Sequence, residues 1–329
     1  MNYVREKIEK HIYVIDFLRG VAALGVVLVH FGGLGFIDNV SVSRFLNFGK
    51  YGVEVFFVIS GFIIPWSLFN NNYHIKKFGS FIWKRSIRID PPYYLVVIVS
   101  FVFYYSKQTG SLFIFKIDFY QFLCHLFYLI PFTKYDWYTY LFWTLAVEFQ
   151  YYLIIGLCFG LIISKKPLLR YMFFLFFITL YWLPYFHNNT QLIFRYAPIF
   201  LLGIILFLYK IRNISIFEFV TLTFILSGLI YIQLGIPQLI ASQFAFLFIL
   251  FVEFKSTITG FLSRISYSLY ITHSFVGIIF IHITKYFLIS SGMKYFFVLF
   301  MIGVALMIAY YYYRFIERPF LSLSRKIKM

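Results

Sequence analysis

Apolar runs of about 17–25 residues recur from one end of the chain to the other, each long enough to cross a hydrocarbon core of roughly 30 Å. They predict ten spanning helices, near 14–35, 51–69, 91–106, 140–163, 168–186, 195–209, 216–234, 238–254, 266–289 and 294–315. Turn residues separate them, as in FNNNYH, SKKP, FHNNT, GIP and SSG. Residues 107–139 are ambiguous. Their apolar stretch FYQFLCHLFYLIPF is only about 14 residues long, which suits a re-entrant or interfacial segment as well as a span. The fold class expected is an all-α polytopic membrane protein with about ten transmembrane helices and a re-entrant or interfacial element near 110–139.

Charge decides between the alternatives. With ten spans, twenty of the 29 Lys and Arg residues fall on the cytoplasmic side and eight outside, while Arg19 lies within the first helix. Letting 119–132 span would flip every later segment and carry the SKKP and C-terminal basic clusters outside, against the positive-inside rule. Both termini are therefore expected in the cytoplasm, with the chain multi-pass in the inner or plasma membrane. Residues 1–329 read as a single integral-membrane domain with no attached soluble domain and no internal repeat. No cleavable signal is expected, because the first apolar segment carries Asp16 and Arg19 and lacks a small-residue cleavage site.

Composition excludes a soluble globular protein: 62% of residues are hydrophobic and 12% charged, against roughly 25% charged in soluble domains. The net charge of +17 is assigned to topology and not to nucleic acid, since no nucleic-acid motif accompanies it. Cys124 and Cys158 form no disulfide framework and match no metal spacing, so neither a metal nor a bound cofactor is expected. Richness in Phe, Tyr, Ile, Lys and Asn fits an AT-rich bacterial genome.

Polar residues inside the apolar runs are the candidate chemistry, because an intramembrane charge costs roughly 2.5–3.5 kcal/mol on insertion scales. Arg19 and His30 are eleven residues apart, which at 100° per residue leaves them about 20° from alignment and about 16 Å apart along the axis. Arg19 is expected near the cytoplasmic face and His30 closer to the outer face. That arrangement suits a long anionic molecule threaded from the cytoplasm. The alternative is an arginine snorkelling to the headgroups and a histidine buried for packing. Glu54, in YGVEVFFVISGF, is expected at the depth of His30, where a carboxylate could fix its tautomer. Ser60 lies deeper, as a nucleophile for His30 or simply a close-packing residue.

Lys84, Arg85 and Arg88 precede Pro91 and Pro92, which are expected to open the third helix. The cluster can bind phosphates or anchor to lipid headgroups. Glu148 shares a helix face with Tyr151 and Tyr152 at i+3 and i+4. In RISYSLYITHS, Tyr267, Tyr270 and His273 or Ser274 form a polar stripe. Glu317 and Arg318, before Pro319, read as an anchor at the inner interface.

Taken together and in this order, IDFLRG…H with its Arg-x10-His spacing, GVEVFFVISGF, KRSIRIDP, WTLAVEFQYY, ISYSLYITH and the closing ERP resemble the acyltransferase 3 family of membrane acyltransferases. The motifs run from residue 15 to 319. WTL stands where Trp-Ser-Leu is commoner, and the extra extracytoplasmic esterase-like domain of many relatives is not seen. The resemblance implies transfer of an acyl group, commonly acetyl, from cytoplasmic acyl-CoA to a hydroxyl acceptor such as a cell-surface carbohydrate. It also implies that Arg19 and His30 are needed for activity.

The mechanism expected from these readings puts the donor phosphates on Arg85, Arg88 and Arg19 and the thioester at His30. His30 deprotonates the acceptor hydroxyl, directly or with a covalent acyl-histidine step, and Glu54 orients it. His30, Glu54 and Glu148 form the catalytic set. Asp16, Tyr151, Tyr267 and His273 join the arginines as substrate-binding residues, with Glu148, Tyr151 and His273 along the acceptor or CoA passage. The partners expected are acyl-CoA, a carbohydrate or other hydroxyl acceptor, the lipid bilayer and a possible separate extracytoplasmic protein. The alternatives are a glycan or lipid transporter without acyl transfer and a non-catalytic scaffold.

Overall fold

Residues 12–33, 36–109, 118–284 and 290–327 are described by a computed structural model, with the side chains of 105–109 and 281–284 left aside. The segments 1–11, 110–117 and 328–329 lie outside the described residues, and with them the expected placement of the termini and the start of the 110–139 element. Among the described residues the chain forms α-helices with short 3-10 and π turns, and no strand.

In chain order, α1 is Tyr13–Leu28 and continues into a π turn, Val29–Gly33. A short α2, Val40–Asn47, is capped by Asn39, whose side chain accepts from Val42 N. Next come α3, Gly52–Asn70, and α4, Phe78–Thr109. The eight-residue α5, Phe119–Leu126, is capped by Asp118. After it stand α6, Trp143–Ile162, and α7, Pro167–Thr179. The five-residue α8, Pro184–Asn188, precedes α9, Ala197–Lys210, α10, Ile216–Leu234, and α11, Ile236–Phe251. The chain closes with α12, Thr257–Thr284, α13, Ser291–Tyr312, a second π turn, Tyr313–Glu317, and α14, Arg318–Lys326.

Among the described residues, seven helical stretches are long and apolar enough to cross a membrane: Tyr13–Gly33, Val40–Asn70, Ile75–Tyr104, Tyr140–Ile162, Ile193–Lys210, Ile216–Leu234 and Ser291–Lys326. The apolar helices Pro167–Trp182 and Ile236–Phe251 are shorter. The 28-residue α12 carries Ser, Thr, Tyr and His among its apolar residues. Large apolar side chains such as Phe224 and Leu299 point outward, as a membrane-embedded bundle requires.

One expected boundary is wrong. Pro91 and Pro92 do not open a helix: α4 begins at Phe78 and runs 32 residues through both. Proline removes a backbone donor and frees carbonyls of the preceding turn, but a neighbouring helix can repair such a site in a membrane bundle. The carbonyls freed here are those of Ile87 and Arg88, four residues back; Tyr267 OH donates instead to Ile89 O at 2.8 Å and Tyr312 OH to Pro92 O at 2.6 Å, bracing this stretch of α4 from its neighbours. Arg85 and Arg88 therefore sit on regular helix, one turn apart.

The helices approach closely where glycines face each other. Gly61 of α3 and Gly203 of α9 lie so near that a Cβ on either would overlap the partner's backbone. The axes can meet backbone to backbone only where side chains are absent. On one side α1 packs between α3, α12 and α13; on the other, α3 packs on α9 and α11. The fully buried α9, from Ala197 to Leu208, is the apolar centre of that second group.

Candidate functional site

Between α1, α3, α4, α6 and α12 lies a partly open pocket. Its polar lining is Arg19, Ser60, Arg85, Arg88, Thr144, Glu148, Tyr152, Ser266, Tyr267 and Tyr270; Phe56, Phe57, Ile59 and Ile63 are among the apolar remainder. Five helices far apart in sequence thus bring three guanidinium groups to one cavity.

None of the three arginines is paired with a carboxylate among the described residues. Arg19 donates only to Ser266 Oγ, at 3.3 Å from Nε and 3.1 Å from Nη2. Ser266 is oriented by donating in turn to Ser263 O at 2.8 Å. Arg85 stacks its guanidinium over Phe81 and Tyr152, 5.6 and 5.5 Å from the ring centroids, and its buried Nε has no partner. Planar guanidinium groups held by rings and hydroxyls keep donors free for a ligand with several anionic oxygens.

Glu148 is the carboxylate on this pocket. Its Oε1 accepts from Ser60 Oγ at 3.0 Å and from Tyr152 OH at 2.5 Å. Ser60 thus bonds to Glu148 and not to His30. Tyr151, expected to bind substrate, lies elsewhere. It is buried away from the pocket, stacked on Phe200 at 4.3 Å with its hydroxyl 3.4 Å from Gly61 O. On α6 the residues at i+3 and i+4 from Glu148 diverge to opposite sides by about 100°, and only the i+4 residue, Tyr152, reaches the cavity.

His30 lies outside this lining. Residues 29–33 wind as a π turn, with His30 at its second position. The His30 side chain is exposed and its ring stands 5.0 Å, centroid to centroid, from that of His273. Tyr270, on the pocket wall, is 6.1 Å from His273 and shares a 2.6 Å hydrogen bond with Thr144. A polar line therefore runs from Arg19 and Ser266 through Tyr270 and His273 to His30. Beyond His30, the Lys294 ammonium and Ser291 hydroxyl hold the Asp38 carboxyl below the usual carboxylate range.

The other expected site residues divide. Tyr267 lines the pocket with its ring while its hydroxyl braces α4. Glu54 is buried, and its Oε2 has no partner; it makes no hydrogen bond to His30, contrary to the orienting role expected. Asp16 accepts from Ser263 Oγ at 2.6 Å and is not on the pocket. His273 is fully buried and lines no passage there. Glu317, expected as an anchor at the inner interface, is buried and accepts from Ser268 Oγ at 2.6 Å.

Ser266 and Thr144 are pocket residues that the sequence reading missed. Ser266 is one residue from the recognised tyrosine stripe, and Thr144 stands at the departure from the commoner Trp-Ser-Leu. No group of three or more His, Cys, Asp or Glu placed to hold a metal ion occurs among the described residues.

Among known proteins, no curated protein and no solved structure matches the chain. The family described as acyltransferase domain, Acyl_transf_3, matches residues 12–314, a stretch that contains every residue of the pocket and both histidines of the polar line. This chain belongs to the acyltransferase 3 family.

Proposed function

We propose that the chain is a membrane O-acyltransferase that takes an acyl group, commonly acetyl, from acyl-CoA on the cytoplasmic side and delivers it to a hydroxyl of a carbohydrate or other cell-envelope or secreted acceptor. In this reading ten segments cross the membrane, the termini are cytoplasmic and 110–139 forms an outer re-entrant or interfacial element. The observation that carries the reading is the convergence of Arg19, Arg85 and Arg88, unpaired with carboxylate, on one pocket. Coenzyme A brings three phosphate groups and a long uncharged arm. The phosphates fit the guanidinium cluster and the arm fits the apolar and hydroxyl-lined remainder.

The acyl carbonyl then lies toward His30. His30 takes the proton of the acceptor hydroxyl, the acceptor oxygen bonds to the carbonyl carbon, and the carbon–sulfur bond breaks. The coenzyme A thiolate leaves and is protonated. Glu148, held by Ser60 and Tyr152, keeps the pocket polar beside the arginines.

Calorimetric titration of the purified protein tests the donor half of the proposal. Acetyl-CoA should bind, while acetyl-pantetheine, which lacks the phosphates, should bind at least tenfold more weakly. Arg85→Gln and Arg88→Gln should weaken acetyl-CoA and leave acetyl-pantetheine unchanged. Equal affinity for both compounds would refute the phosphate role of the arginines.

A further inference from the structure

The contact between His30 and His273 has a direction built into it. His273 is fully buried, and its Nδ1 lies 3.1 Å from Leu269 O. A carbonyl oxygen only accepts, so this contact places the proton of the neutral ring on Nδ1. Nε2 is then a bare acceptor, and it has no hydrogen-bond partner. An unsatisfied buried acceptor is costly and calls for a reason. The neighbouring rings are Phe31, Tyr270 and His30. Phe31 has no polar atom and Tyr270 OH is engaged by Thr144, which leaves His30.

The remaining titratable groups on the elements packed around α12 have their own places. Arg19 binds Ser266, Glu148 binds Ser60 and Tyr152, Asp90 accepts from Tyr128, Glu317 accepts from Ser268, and Lys294 pairs with Asp38. Arg85 and Arg88 face the pocket. Glu54 on α3 bonds to neither histidine.

We propose that His273 is the positioning residue of His30: its Nε2 accepts a ring N–H of His30, setting the tautomer that receives the acceptor proton and stabilising the imidazolium formed. This rests on His30 acting as the base. Glu54, which sequence spacing favoured for the task, is not the partner. No atom of His273 is gained or lost in the cycle. It keeps its own Nδ1 proton on Leu269 O throughout, while the proton taken by His30 passes to the departing thiolate.

The test uses purified full-length protein carrying His273→Leu, which removes the acceptor and keeps an apolar side chain, and His273→Gln, whose amide oxygen can replace Nε2. Diethyl pyrocarbonate modification of exposed His30, followed by mass spectrometry across pH, needs no substrate. The expected result is that the midpoint of His30 modification moves to lower pH in His273→Leu and returns toward wild type in His273→Gln. CoA release from acetyl-CoA should fall roughly tenfold or more in kcat with KM unchanged, part of the 10²–10⁴ that a positioned acid–base group contributes. An unchanged modification profile in well-folded His273→Leu overturns the proposal. If His30→Ala retains turnover, the base assignment itself fails, whereas an inactive His30→Ala beside an unaltered His273→Leu removes only the positioning role.

Discussion

Ser60 Oγ donates a 3.0 Å hydrogen bond to Glu148 Oε1, joining α3 to α6 across the pocket wall. Tyr152 donates to the same oxygen, so the carboxylate keeps a donor if the serine is lost. Ser60→Ala should therefore retain activity within about tenfold of wild type, the loss of one charge-assisted hydrogen bond of roughly 1.5 kcal/mol. CoA release by the purified variant checks this. Complete loss in a folded protein would make Ser60 a nucleophile.

The Gly61–Gly203 approach ties α3 to α9 by backbone contact, which no side-chain movement can relieve. Gly61→Leu or Gly203→Leu should destabilise the fold by at least the 1–3 kcal/mol typical of overpacking, or about that much for the smaller Gly203→Ala. Thermal unfolding in detergent reads the loss. By contrast Gly160 has open space around it, and Gly160→Ala should be tolerated.

Arg170 of α7 is buried and donates to Glu218 of α10 at 2.5 Å and to Asn213 at 2.6 Å. Removing one partner leaves the other charge uncompensated. Glu218→Leu should cost about 3–5 kcal/mol, and the double variant with Arg170→Leu should recover much of it. A thermodynamic double-mutant cycle measures the coupling, and additive losses would contradict it.

His125 locks the described part of the 110–139 segment. Its Nε2 accepts from Tyr138 N at 2.9 Å, so its Nδ1 carries the proton given to Gln121 O, also at 2.9 Å. The ring stacks on Tyr138 at 3.8 Å. Burial pushes the imidazole down to about 4 from the usual 6.5. Between those values the unfolded chain binds the proton and the folded chain does not. Stability is then complete above pH 6.5 and is lost as pH falls toward 4. Unfolding midpoints measured from pH 7 to 4 should fall in wild type and change less in His125→Phe.

The helices and the arginines were legible in the sequence because hydropathy and charge are local properties of a membrane chain. An apolar run must satisfy its backbone by coiling into helix wherever it sits, and intramembrane Arg19 and Glu148, like the basic cluster around Arg85, stand out at any register. What the sequence hid depends on contacts between helices. The helix α4 runs through Pro91 and Pro92, braced beside them by the hydroxyls of Tyr267 and Tyr312. His30 lies off the pocket that Arg19 lines, although their spacing puts both on one helix face. Which of Tyr151 and Tyr152 faces the cavity is set by where α9 and α4 pack, and no spacing along α6 records it. Glu54 is the residue expected beside His30; only the fold reveals that His273, far away in sequence, is the neighbouring ring.

The measurement that bears most directly on the acyltransferase reading is CoA release from acetyl-CoA, with a mixture of hydroxyl acceptors supplied, by purified wild type and His30→Ala. Acetyl-CoA affinity is measured on both. Turnover by wild type, a 10²–10⁴-fold fall in kcat and unchanged binding in the variant are the predicted results. Undiminished turnover in His30→Ala would contradict the assignment of His30 as the base.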